Sequence, residues 1–78
     1  MILSDHARDE MMQAGITEDE VRQCLEQGEL EIKQIVDGET RYGRRLVLKD
    51  KTFIVIYTFR DDEKRVVTAY IIRRKRTW

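Results

Sequence analysis

Phe53-Ile54-Val55-Ile56-Tyr57-Thr58-Phe59 decides the fold. The stretch is apolar on both faces, which marks a central strand covered on both sides. Downstream, Arg60-Asp61-Asp62-Glu63-Lys64 reads as a solvated hairpin loop, and residues 66–72 as the last strand, before Arg73-Arg74-Lys75-Arg76. Alternation along that last strand separates Val67, Ala69 and Ile71 from Val66, Thr68, Tyr70 and Ile72. The first set suits a tight fit under helices. The second, with its hydroxyl and phenol, suits the opposite face, which becomes a platform for a ligand if it is open.

Upstream, Lys49-Asp50-Lys51 closes a strand over residues 41–48. Asp37-Gly38 is a turn signal that ends another strand, residues 29–36, with Leu30, Ile32 and Val36 inward. Before the strands come two short helices. Ser4 or Asp5 caps the first, which runs to about Ala14 with Ala7, Met11 and Ala14 as its buried stripe and Gly15 as its stop. Thr17 and Glu20 form a capping box that opens the second, which runs through about Gln27, shows Val21, Cys24 and Leu25 to the core and stops at Gly28. Helices this short need tertiary support. The pattern predicts an α+β domain, with two N-terminal helices packed on one face of a four-stranded antiparallel sheet and residues 53–59 central. Leu25, Ile32, Val55 and Ile71 should be buried.

The chain has 78 residues, which accommodates one domain, residues 1–78. Its single Cys24 cannot close an internal disulfide, so a reducing, cytoplasmic setting fits. No apolar run approaches a membrane span, and no membrane partner is expected. Net charge is zero, yet residues 1–38 hold ten acidic side chains against three basic, while residues 39–78 hold twelve basic against five acidic. Either the C-terminal half builds an anion-binding surface, or the two halves interleave their charges on one solvated surface.

Several side chains carry possible chemistry. His6, the only histidine, can exchange protons near neutrality, or it can brace the start of the first helix. Arg41, Arg44 and Arg45 surround Tyr42 and Gly43; they offer bidentate forks for phosphate, or they are the charges that protect an edge strand. Tyr57 and Tyr70 can stack on bases or belong to the core, and Thr68 can offer its hydroxyl or serve only as a β-branched strand former. Arg73 and Arg74 begin a run suited to a phosphate backbone or to a solubilising tail. His6, Cys24 and the scattered carboxylates show no metal-ligand spacing, and no cofactor motif occurs. Glu31-Ile32-Lys33 matches only a fragment of the metal-dependent nuclease pattern.

Ser4-x-His6-Ala7-x-x-x-x-Met12, the Gly15-Ile16-Thr17 turn and Val66-x-Thr68-x-Tyr70 resemble an uncharacterised bacterial and archaeal domain family grouped with the RelE/ParE toxins and similar to BrnT-type ribonuclease toxins. The resemblance covers nearly the whole chain. It implies a compact sheet packed with N-terminal helices, a metal-independent endoribonuclease of a type II toxin–antitoxin system, RNA as substrate, and an antitoxin partner masking the basic face. Carried onto this chain it matches His6, Thr68 and Tyr70, with the mid-chain basic positions near Arg41, Arg44 and Arg45. The resulting expectation is a catalytic set of His6, Arg45, Thr68 and Tyr70, with Arg41, Arg44, Tyr57, Arg73 and Arg74 binding RNA. Where many relatives place an arginine before the turn glycine, this chain has Ala14. The alternative on the same fold is a non-catalytic module that binds a protein or a nucleic acid.

Overall fold

A computed structural model describes residues 1–73. The elements are β1 (Ile2–Leu3), α1 (Asp5–Ala14), α2 (Glu18–Gln27), β2 (Glu29–Val36), β3 (Glu39–Val47), β4 (Lys51–Arg60) and β5 (Glu63–Arg73). They form one five-stranded sheet of order β1-β5-β4-β3-β2. The expected four-stranded antiparallel sheet is therefore corrected to a five-stranded mixed one within the α+β class. The extra strand, β1, lies parallel to β5 and pairs only Ile2 with Arg65 and Leu3 with Val66. Two residues are too few to show an alternation, so β1 leaves no periodic signal.

Both helices begin as their sequences demand. The Ser4 hydroxyl accepts the Ala7 N–H at 3.0 Å and donates to the Val67 carbonyl at 3.0 Å, so a single residue caps α1 and ties it to β5. The Thr17–Glu20 box is complete, with bonds of 3.1 and 2.9 Å. The hydrogen bond from the Thr17 N–H, helped by Lys51, holds the Glu20 carboxyl below its usual range. Gly28 closes α2 with ordinary extended backbone, φ −71°, so its role is space: a Cβ there would meet the Cys24 carbonyl oxygen at 2.4 Å.

The hairpin turns are tight. Asp37 and Gly38 join β2 to β3 with φ of 51° and 77°, and Asp61 and Asp62 join β4 to β5 with φ of 51° and 61°. Two successive positive φ values match the right-handed twist of the flanking strands. The second turn is shorter than the expected five-residue loop, because Arg60 and Glu63 already pair with each other.

The helices cover one sheet face. Ala7, Met11, Val21, Cys24 and Leu25 pack on Phe53, Val55, Tyr57, Val66 and Ala69. β4 is buried on both sides as expected, but only one side lies under helices: Ile54, 8 % exposed, is shielded outside this cluster, in a row with Arg45 and Tyr70. Val55 and Leu25 are buried, whereas Ile32 and Ile71 are only half-buried and Ala14 is exposed. Val66 also changes side. The β4–β5 register skips Val67, and this bulge turns Val66 into the core (0 % exposed) against the alternation read from the sequence.

Candidate functional site

His6 stands in the first turn of α1 with its side chain 70 % exposed, and its Nε2 lies 2.8 Å from Glu10 Oε1 one helical turn later. The same carboxylate oxygen accepts a hydrogen bond from the Thr68 hydroxyl on β5. Glu10 thus joins His6 to Thr68. Beside this cluster runs a shallow groove lined by Glu10, Gln13 and Ala14 of α1 and by Ala69, Tyr70 and Ile71 of β5. Three of the four residues expected to be catalytic, His6, Thr68 and Tyr70, thus gather around one α1–β5 junction. With Nε2 against Glu10, Nδ1 is the ring nitrogen left for another partner.

The arginines of β3 are elsewhere. Arg45 lies in the same row as Tyr70, but Ile54 separates them, two strand spacings or about 10 Å away. Its Nη1 sits 3.4 Å from Glu31 Oε1. Arg44 points to the helix side, where it donates to the Gly28 carbonyl at 3.0 Å and to the Tyr57 hydroxyl at 3.2 Å. Arg41 lies 3.6 Å from Glu39, which also receives the Arg60 Nε–H at 2.9 Å. That bond, with the two guanidinium charges, holds the Glu39 carboxyl below its usual range. Arg41 Nε itself makes no hydrogen bond among the described residues. The convergence of His6 and Tyr70 with an arginine of β3 does not occur.

Tyr57 is 4 % exposed and stacks on Tyr42 with ring centroids 5.6 Å apart. Lys64 lies 5.0 Å over the Tyr57 ring, whose burial in the hydrophobic cluster makes it part of the core. Arg73 is exposed and pairs in register with Lys51 at the end of β5. Arg74 lies outside the described residues. Cys24 packs its Sγ toward the Phe53 and Arg44 carbonyls, and burial pushes its thiol pKa up, which suits an inert core residue. Among the described residues no group of three or more His, Cys, Asp or Glu side chains is placed to hold a metal. No helix among them is long and apolar enough to cross a membrane.

Two members of the junction were missed in the sequence. Glu10 was legible in principle, because a carboxylate four residues after His6 on a helix faces the imidazole. Gln13 carries no such signal until α1 is docked beside β5. The two charged halves of the chain partly neutralise each other, as Arg45–Glu31 and Lys51–Glu20 show.

Comparison with curated proteins and with solved structures returned no match. A family model described as a domain of unknown function, DUF4258, matches residues 3–71. This match supplies no link to the RelE/ParE or BrnT toxins, and its description names no activity. Covering nearly the whole described chain, it places the protein plainly: the chain belongs to the DUF4258 family.

Proposed function

We propose that this domain acts by binding, as a non-catalytic interaction module that meets a protein partner. One observation carries the reading. The β3 arginines that would stabilise a phosphorane are each committed to a partner within the domain, and they lie two strands away from His6 and Tyr70. Stabilising charge at the transition state is usually the largest part of such catalysis. An imidazole without that help is a weak nuclease.

The second reading is the metal-independent ribonuclease of a toxin–antitoxin pair, with RNA as substrate and an antitoxin as partner. The His6–Glu10–Thr68 cluster beside Tyr70 favours it. In this reading Glu10 orients the imidazole, and Nδ1 takes the 2′-hydroxyl proton as that oxygen bonds to phosphorus. The Tyr70 hydroxyl gives a proton to the 5′-oxygen as the P–O5′ bond breaks, with a cation offsetting the phosphorane charge. Arg65, three residues before Thr68 on the same strand, is one such cation, and its Nε makes no hydrogen bond among the described residues.

A labelled single-stranded RNA at low salt separates the two. The interaction reading expects intact RNA and normal growth of cells expressing the chain. Cleavage and growth arrest that His6→Ala abolishes would overturn it in favour of the nuclease.

A further inference from the structure

We propose that the outer edge of β5 receives an extended peptide strand from a partner protein, seated between β5 and α1. This inference rests on the interaction reading above and names its surface and the chemistry of its occupant.

The edge already accepts a strand. β1 pairs with it in parallel at Arg65 and Val66, and Ser4 extends the contact through its N–H to the Val66 carbonyl and its hydroxyl to the Val67 carbonyl. Beyond Val67 no further strand lies on that side among the described residues, although β5 continues, paired to β4, as far as Arg73. An open strand edge presents alternate N–H and C=O groups that pair readily with another chain. Here α1 does not cover this edge completely, because the groove lined by Gln13, Ala14, Ala69, Tyr70 and Ile71 lies between them.

The opposite edge shows what protection looks like in this chain. β2 is interrupted at Glu31, where its register with β3 shifts, and it exposes Glu29, Glu31 and Lys33. Bulges and charges of this kind discourage strand addition. Ala69-Tyr70-Ile71-Ile72 has no charge, no proline and no register shift. The bulge and charges blunt the first half of β2; its last residues, with Ile35 76 % exposed, pair regularly but have no helix beside them to form a groove.

The occupant's chemistry follows from the walls. Tyr70 and Ile72 are 38 % and 52 % exposed, so β-branched or aromatic residues of the added strand find apolar cross-strand neighbours there. At the other end stands the Glu10 carboxylate, on a helix that carries Asp5, Asp9 and Glu10 against a single Arg8. A lysine or arginine of the peptide belongs beside Glu10. The occupant is an extended, β-rich segment with a basic residue at one end.

The test is an NMR titration of the full chain with acetyl-Lys-Val-Thr-Ile-Thr-Val-amide as probe. Amide shifts should concentrate at residues 67–73 and along α1 from Glu10 to Ala14. A fully N-methylated peptide, which cannot donate to a strand edge, should bind at least tenfold more weakly. Ala14→Trp, at an exposed position, should fill the groove and weaken binding similarly while the far-ultraviolet circular dichroism stays unchanged. Equal binding of the N-methylated peptide, or no binding at millimolar peptide, overturns the inference. Shifts confined to β2, or to the β3 and β4 residues of the uncovered sheet face, overturn it too, but leave a binding module with another site. His6-dependent RNA cleavage would instead remove the reading on which it rests.

Discussion

The two faces of the sheet are built from similar residues and live in different surroundings. On the covered face Phe53, Val55 and Ala69 are at most 2 % exposed, with α1 and α2 over them. On the other face Ile54 at the centre is 8 % exposed, but Val47 and Ile72 toward one end are 50 % and 52 % exposed, although they are as apolar as their counterparts. Composition does not distinguish these faces; the helices do. Apolar side chains on a strand state only that burial is favourable, and the two short helices have area enough for one side. The uncovered face protects itself by other means. Ile32 and Ile56 close over Gly43, where a Cβ would meet both at 2.8 Å.

The largest expected effect tests the covered face. Phe53→Ala should cost about 3–5 kcal/mol, measured by denaturant unfolding, whereas Ile72→Ala should stay within about 0.5 kcal/mol. Comparable losses at the two sites would mean that both faces are covered in solution.

A smaller effect tests how the uncovered face packs. Gly43→Ala should destabilise by about 1–3 kcal/mol by overpacking against Ile32 and Ile56. In an Ile32→Ala background the same change should cost less, and a double-mutant cycle reads the coupling directly. Full additivity would show that the two isoleucines do not close over the glycine.

The third prediction concerns a helix that covers the other face. Glu20→Gln keeps a capping-box partner but removes the carboxylate charge at the α2 N-terminus, and should cost about 0.3–1 kcal/mol at neutral pH. Since folding holds this carboxyl below its usual range, its contribution is complete above the unfolded glutamate range. It is lost as pH falls through the lower folded value. The gap between wild type and variant should therefore narrow in acid; a gap independent of pH would refute the charge-based account.

The smallest expected effect falls where neither face is at stake. His6→Ala, at a side chain 70 % exposed, should change stability by less than about 0.5 kcal/mol. That makes it a clean reporter for the RNA assay, since lost function would not reflect unfolding. A loss above about 2 kcal/mol would instead make the His6–Glu10–Thr68 cluster a structural clasp.

Much of the local structure was legible. Thr17 and Glu20 marked a helix start, and Asp37-Gly38 marked a hairpin, because caps and turns are settled by neighbouring residues. Where a long-range partner intervenes, local alternation misleads. It puts Val66 on the face opposite its true one, since the bulge at Val67 arises only when β5 is laid against β4. Ala14 fitted the helical stripe yet remains exposed, because α1 docks at the edge of the sheet and leaves a groove there.

By itself, the sequence determined two capped helices, the Asp37-Gly38 turn and the apolar runs that demand a sheet. These follow from interactions among residues close in the chain, whose geometry needs no partner. Only the tertiary structure decided that a two-residue strand joins β5 in parallel, that the helices cover one sheet face and not the other, and that Glu10 links His6 to Thr68 while the β3 arginines pair off elsewhere. Such matters depend on how segments far apart in the chain meet. Alternation and propensity describe what each segment can bury, and they carry no information about which neighbour arrives to bury it.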